Sequence, residues 1–220
     1  MLVRDYMTKH PIMISPEALV TKAQQIIVEN KVRHLPVVTD GKRLVGLVTR
    51  NRLNIPPSDL TSFNVWEISR ILSKLKVKDV MVKQEDLVTI HQEAVIEDAA
   101  AIMCRNKIGC LPVVDEDGIV IGIISEIDLL AELSSILGGG VKGVRVTIRV
   151  PDKVGEFAKV TTAIASKGWG IYSSGGVPAP KTPDYWDMVL KVRNVTIDEL
   201  AEVLKKIEGQ EIRDIREIRA

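Results

Sequence analysis

The chain builds one unit twice. Leu35-Pro-Val-Val-Thr-Asp-Gly-Lys-Arg-Leu-Val-Gly-Leu-Val-Thr-Arg-Asn-Arg-Leu53 is matched by Leu111-Pro-Val-Val-Asp-Glu-Asp-Gly-Ile-Val-Ile-Gly-Ile-Ile-Ser-Glu-Ile-Asp-Leu129. Each stretch reads as two strands, a tight turn and the start of a helix. The apolar runs, such as Leu111–Val114 and Ile119–Ile124, are short and rich in β-branched residues, as buried strands are. Asp117-Gly118 between them is a hairpin signal, because glycine accepts positive φ without steric cost. Val3-Arg-Asp5-Tyr-Met7 opens the first copy and Val77-Lys-Asp79-Val-Met81 the second. Past two extra residues in the second copy the register holds: Glu17 aligns with Glu93, Ala23 with Ala99, Pro36 with Pro112, Gly46 with Gly122. Solenoids usually stack at least ~3 units, so two copies point to a pair packed face to face.

In the first copy Ile12–Ile14 reads as a strand. Ser15-Pro16-Glu17 reads as a helix start, with a Ser cap, Pro in the first turn and an acid at the positive end of the dipole. The second copy repeats this with a strand over Leu87–Ile90 and a helix from about Gln92 to Arg105. Each unit is then β-α-β-β-α. Pro56-Pro57 breaks the last helix of the first copy. Trp66, Ile68, Ile71, Leu72 and Leu75 follow at helical spacing and mark a connecting helix. The last helix of the second copy runs from about Glu126 to Leu137, and Gly138-Gly139-Gly140 ends it as a flexible joint.

Beyond that joint the pattern changes. Val144, Val146, Ile148 and Val150 alternate with Arg145, Thr147 and Arg149, the signature of a half-buried strand. Glu156 to Lys167 reads as an amphipathic helix with Phe157, Val160, Ala163 and Ile164 inward. Strands over Trp169–Val177 and Tyr185–Val192, a helix over Ile197–Ile207 and a strand over Glu211–Ile218 complete β-α-β-β-α-β. That is the ferredoxin-like order. The fold class is α+β. The expected partition is a first repeat over 1–56, a connecting helix over 57–76, a second repeat over 77–137, a Gly linker over 138–141 and a C-terminal domain over 142–220.

The formal net charge of +1 argues against a general nucleic-acid partner or an anionic membrane surface. No apolar run approaches the ~20 residues of a membrane span, and the N-terminus lacks the apolar stretch of a signal peptide. Cys104 and Cys110 are the only cysteines, and no Cys/His cluster suggests a metal site. The expectation is a reduced, cytoplasmic protein without a metal or cofactor. No nucleophile elbow, P-loop or dinucleotide loop occurs, so the chain reads as a non-enzyme.

Ser125 and Asp128 are the residues best placed for chemistry. A capping box alone accounts for them: a Ser cap bonds backbone N–H groups and an acid three residues on bonds back. The same geometry suits a ligand. A helix N-terminus attracts a phosphate, and a nearby carboxylate can accept hydrogen bonds from two adjacent ribose hydroxyls. In the first copy Thr49-Arg50-Asn51-Arg52 puts Arg52 where Asp128 stands. Arginine has no acceptor for a ribose hydroxyl. That site is either empty or turned to a phosphate, which suits the guanidinium fork.

The duplicated unit resembles a CBS domain, and the tandem resembles the CBS pair, or Bateman module, over about residues 1–137. Asp152-Lys-Val-Gly155-Glu-Phe157, between a strand and a helix, resembles an ACT domain over about 142–219. A CBS pair joined to an ACT domain, with Thr61-Ser62 and Glu67-Ile-Ser-Arg-Ile-Leu-Ser-Lys74 between the repeats, is similar to the acetoin-utilisation protein B-like group. The CBS resemblance implies that Ser125 and Asp128 bind an adenine nucleotide (AMP, ADP or ATP) or S-adenosylmethionine. It implies adenine on the backbone of Val88, Thr89, Ile90 and His91, a wall at Pro112, and phosphates reached by Arg33 and His34. A second site would lie at Thr49 and Arg52. The ACT resemblance implies an amino-acid ligand near Asp152 and Gly155 at a subunit interface, although Gly170 stands where many amino-acid-binding members have Asn. The function so implied is a regulatory nucleotide sensor, homodimeric, acting on an enzyme. The rival is a structural dimerisation module with a vestigial site that docks on a metabolic enzyme. A DNA-binding regulator is disfavoured by the near-neutral charge.

Overall fold

A computed structural model describes residues 1–53 and 74–219. The expected connecting helix and the end of the first repeat, with Pro56, Pro57, Trp66, Ile68, Ile71 and Leu72, lie outside the described residues. The chain divides into two compact units, Met1–Leu129 and Leu130–Ala220.

The first unit is organised by an exchange. Its elements are α1 (Val3–Tyr6), β1 (Thr8–Lys9), α2 (Val20–Glu29), β2 (His34–Val38) and β3 (Leu44–Thr49) from the first repeat. The second repeat supplies α3 (Val77–Val80), β4 (Val82–Lys83), β5 (Ile90–His91), α4 (Ile96–Asn106), β6 (Cys110–Val114), β7 (Val120–Ser125) and the start of α5 (Glu126–Ile136). The leader of each repeat does not stay with its own repeat. β1 pairs antiparallel with β7, Thr8 opposite Ile123, in a sheet of order β1-β7-β6-β5. β4 pairs antiparallel with β3, Leu47 opposite Val82, in a sheet of order β2-β3-β4. The cores follow. Val77 completes the cluster of Leu35, Val37, Val48, Val20 and Ile27, while Val3 completes that of Leu111, Val113, Ile124, Ile96 and Met103. Each of these two valines is fully buried, a contribution of about 1.5–3 kcal/mol that one repeat receives from the other.

The exchange needs two notches. A side-chain carbon at Gly122 would run into the Met7 Sδ, and one at Gly46 would run into the Met81 Sδ. Both glycines lie on strands at the point where the foreign leader crosses, so they are there for close approach. The same two-fold relation repeats in the polar contacts. Glu93 accepts from Arg4 at 2.6 Å, and Glu17 accepts from Lys76 at 2.6 Å and Lys78 at 2.8 Å. Those two ammonium groups hold the Glu17 carboxyl down to about 2.

The exchange also moves the helix starts. α2 begins at Val20 and not at Ser15: Ser15–Glu17 forms a turn in which the Ser15 hydroxyl accepts from Glu17 N. The first helical N–H, of Val20, goes to Leu75 O, and Val77 N returns to Ala18 O. The backbone of the other leader therefore supplies the contact expected of a Ser cap. α4 likewise starts at Ile96, where Ile96 N reaches Met1 O, and not at Gln92. The expected strand Ile12–Ile14 is reduced to a single bridge between Ile14 and Val37, and its counterpart is only Ile90–His91.

The second unit carries β8 (Gly143–Pro151), α6 (Glu156–Ala165), β9 (Gly170–Pro178), β10 (Tyr185–Arg193), α7 (Ile197–Leu204) and β11 (Glu211–Ile218). The four strands form one antiparallel sheet of order β11-β8-β10-β9, the split βαβ arrangement. Val144, Val146, Ile148 and Val150 alternate into a core with Val160, Ile164, Leu200 and Leu204. The expected inward face of α6 holds at Val160 and Ile164 but not in its first turn. Phe157 is 52% exposed, and Glu156 takes the inward position at 6%. Glu156 keeps its charge there because Lys159 and the Gln210 amide donate to it, which lowers its pKa.

Gly138 is tied down within the second unit. Gly138, at φ 73°, closes α5 in the left-handed conformation that glycine favours. On the face of β10 away from the helices, Lys191 is 3% exposed, and its Nζ donates to Gly138 O at 2.5 Å and Val141 O at 2.7 Å. A cation on the carbonyl end of a helix is electrostatically favourable as well.

Two predictions follow from these contacts. Gly46→Ala and Gly122→Ala should each cost about 1–3 kcal/mol by overpacking. Met81→Ala should recover part of the first loss but not of the second, giving a coupling energy in a denaturant double-mutant cycle. Lys191→Met should lower unfolding stability by about 1–3 kcal/mol, because two carbonyls lose their donor; an unchanged denaturation midpoint would contradict the pin.

Candidate functional site

The two-fold relation within the first unit creates two cavities built from equivalent parts. One, of about 320 Å³, is lined by Ser125, Glu126, Ile127 and Asp128, by His10-Pro11-Ile12 and by Lys31–His34. The other, of about 840 Å³, is lined by Thr49, Arg50, Asn51 and Arg52, by Asp86-Leu87-Val88 and by Lys107–Cys110. In each, a strand end and the turn after it face the leader segment that the exchange delivers. Arg33, His34, Gly109 and Glu126 line both.

Ser125 ends β7 and Asp128 lies in the first turn of α5. The Asp128 Oδ2 accepts from Ser125 N at 2.8 Å and from Ser125 Oγ at 2.7 Å. The acid thus bonds back as in a capping box, and the serine hydroxyl donates to that same oxygen. These bonds fix the carboxylate and leave Oδ1 without a protein hydrogen bond among the described residues. Across the cavity Arg33 Nη1 stands 3.5 Å from Glu126 Oε1, with both side chains more than half exposed. Such a pair is worth little and gives way readily to another anion. His34 is partly buried. Burial is the main cause of its lowered pKa, with Arg33 adding to the effect and Glu126 opposing it. Cys110 lies beneath the divide; burial, then Glu126, pushes its thiol up to about 12, so it is a protonated filler and no nucleophile.

The structure therefore brings Ser125, Asp128, Arg33 and His34 together. It does not bring Val88, Thr89, Ile90, His91 or Pro112 to them. Val88 lines the Thr49–Arg52 cavity. Ile90 and His91 are paired in the sheet with Val113 and Val114, and Thr89 precedes them. Pro112 is buried in β6 opposite Ile123 and lines neither cavity. The physical reason is the exchange: the segment facing Asp128 comes from the first leader, so His10, Pro11 and Ile12 occupy the places given to Val88–His91. Sequence reasoning missed these three. The matching Met7/Gly122 and Met81/Gly46 pairs were the signal that could have found them.

In the second unit, a cavity of about 320 Å³ is lined by Asp152, Phe157, Ser174, Gly175, Trp186 and neighbouring residues. Gly155 is not among its walls; it precedes α6 at φ 94°, with open space where a side chain would sit. Its positive φ serves the backbone turn. Among the described residues no three His, Cys, Asp or Glu side chains are grouped to hold a metal, and no helix is long and apolar enough to cross a membrane.

Similarities to known proteins fall on the first unit. The protein MJ1225 of Methanocaldococcus jannaschii is 33% identical over 130 residues, 59% of this chain and 46% of that one. The chain spans 23% of each of two further curated relatives, so it is shared as a part of longer proteins. CBSX2, a CBS-pair protein of Arabidopsis thaliana solved in complex with AMP, is 31% identical at a TM-score of 0.50, covering 61% of this chain and 97% of that one. AcuB of Vibrio cholerae is 28% identical at a TM-score of 0.51, covering 62% and 93%. The CBS domain model matches residues 3–54 and 77–135, together half of the chain. With two repeats, two exchanged leaders and two equivalent cavities, the chain belongs to the CBS-domain family.

Proposed function

We propose that the CBS pair is a non-catalytic sensor of an adenine nucleotide or S-adenosylmethionine, with one adenosine site per chain on the Asp128 side. The observation that carries this reading is the Asp128 carboxylate, fixed through Oδ2 and open at Oδ1 above a cavity with apolar and cationic walls. Pro11, Ile12, Ile123 and Ile127 offer the base an apolar seat. Asp128 Oδ1 accepts from the ribose hydroxyls. Ser125, Arg33 and His34 face the phosphate, for which Arg33 exchanges its loose contact with Glu126. AMP bound to CBSX2, a relative with the same pair, supports the ligand class. Binding regulates only if the ligand favours one arrangement of the repeats or of two chains over another.

The partition into repeats at 1–56 and 77–137, a connecting helix, a linker at 138–141 and a domain at 142–220 is part of the same proposal. The last is read as an ACT-like domain on its strand order, with Asp152 at an amino-acid-sized cavity. A homodimer acting on a cytoplasmic enzyme is the form in which such a sensor works. Arg52, where the first repeat lacks the ribose acceptor, favours the alternative of an interaction module with a vestigial site.

Calorimetric titration with AMP, ATP and S-adenosylmethionine tests the reading. At least one should bind saturably, and Asp128→Ala should weaken it at least tenfold, about 1.4 kcal/mol, with the fold intact by circular dichroism. Absence of heat up to millimolar ligand would move the assignment to the interaction module. His34 gives a second readout. In the free protein its NMR titration should fall below the ordinary 6.5. A bound phosphate beside it should raise that midpoint, because a near anion favours the imidazolium. Its lowered pKa also means that unfolding takes up a proton there, so this contribution to stability is present above 6.5 and is lost as pH falls toward the folded value.

A further inference from the structure

The Asp128 cavity has two carboxylates, and the adenosine reading uses one of them. Asp128 serves the ribose, and Glu126 is left without a part. The Glu126 backbone is fixed, its N–H donating to Gly109 O at 3.0 Å. Gly109 leaves room beside it. A side-chain carbon there would meet the Glu126 carboxylate at 3.5 Å, so the carboxylate lies over the glycine. Arg33 is the residue of the first repeat that aligns with Gly109, and its carbonyl accepts from Arg50 N at 2.9 Å in the same way. Carboxylate and guanidinium therefore rise from two fixed points and meet at the cavity, Glu126 Oε1 3.5 Å from Arg33 Nη1.

The meeting is loose. Glu93 holds Arg4 at 2.6 Å and Glu17 holds Lys76 at 2.6 Å. Among the described residues neither Arg33 nor Glu126 has a second ion-pair partner, and both side chains are more than half exposed. An exposed pair of this kind contributes little, so a ligand can open it. The charge of the ligand decides what opening costs. A phosphate drawn to Arg33 takes one partner and leaves Glu126 beside a second anion, with Asp128 a third in the same cavity. Like charges so placed disfavour binding. His34 does not offset them, because burial lowers its pKa and keeps the ring neutral near neutral pH. An α-amino-acid group enters the pair without that loss. Its carboxylate meets the guanidinium through two donors, its ammonium meets the Glu126 carboxylate, and no charge is left alone.

We infer that Glu126 is the specificity-determining residue of the Asp128 cavity, and that it selects an adenosine whose sugar carries a zwitterionic α-amino-acid tail over one that ends in phosphate. The inference rests on the adenosine reading above and narrows its ligand class.

The test is calorimetric titration of the full chain with S-adenosylhomocysteine, methylthioadenosine and AMP, in the wild type, Glu126→Gln, Arg33→Met and Asp128→Ala. The first compound carries the tail, the second lacks it, and the third ends in phosphate. In the wild type S-adenosylhomocysteine should bind most tightly. Glu126→Gln keeps the shape and removes the charge. It should lower the affinity for S-adenosylhomocysteine relative to methylthioadenosine about tenfold and raise that for AMP about threefold. Arg33→Met should weaken S-adenosylhomocysteine and AMP alike, since each brings it an anion. Because both side chains are exposed, circular dichroism should show these variants folded. The inference is overturned if AMP binds the wild type more tightly than S-adenosylhomocysteine, if Glu126→Gln leaves the ratio unchanged, or if it weakens every compound equally. Methylthioadenosine binding that Asp128→Ala abolishes upholds the adenosine reading even then. No binding by any compound up to millimolar concentration overturns both.

Discussion

Each repeat keeps a gap that only the other repeat fills. Gly46 admits Met81 and Gly122 admits Met7, and the backbone that brings those methionines also brings a valine to each core. Most other features of the first unit depend on this exchange. It fixes which strands are edges, because β1 and β4 extend sheets made by the opposite repeat. It decides where helices begin, because backbone groups of Leu75 and Met1 take the first N–H groups of α2 and α4. It also builds the cavities, since each is closed by a segment that has crossed over.

Packing and chemistry are thereby separated. The positions that hold the exchange agree between the copies: Met7 with Met81, Gly46 with Gly122, Val3 with Val77, Glu17 with Glu93. The positions that line the cavities differ: Arg52 against Asp128, Arg50 against Glu126, Arg33 against Gly109. The latter are exposed or partly exposed, and a change of charge there costs little stability. One scaffold therefore presents two surfaces of different charge without altering its core.

Much of this was legible in the sequence. The alternation of Val144 to Val150 and the spacing of the later elements predicted the order of the second unit, because a half-buried sheet imposes period two on its residues. The hairpins at Leu35–Thr49 and Leu111–Ser125 were legible for the same reason, and Ser125 with Asp128 stood out by spacing alone. What could not be read was anything set by contacts distant in sequence. Ser15 has the right chemistry for a cap, yet Leu75 O takes that place from a part of the chain far away. Phe157 is more apolar than Glu156, yet Lys159 and Gln210 keep the glutamate inward. Lys191 interrupts no pattern, and its role appears only when the carbonyls of Gly138 and Val141 come to it. Val88 lines the Thr49–Arg52 cavity and Ile90 and His91 are taken up in the sheet, because local resemblance says which segment lines a site but not which repeat supplies it.

The exchange has a direction that the symmetry of the finished fold conceals. Synthesis runs from the N-terminal side, so β3 emerges with its Gly46 notch vacant and stays unpaired on that side until Val82 and Lys83 follow. The second hairpin meets no such delay, since β1 and Met7 precede it in the chain. During translation the first repeat is the incomplete one, and the second, once made, closes both.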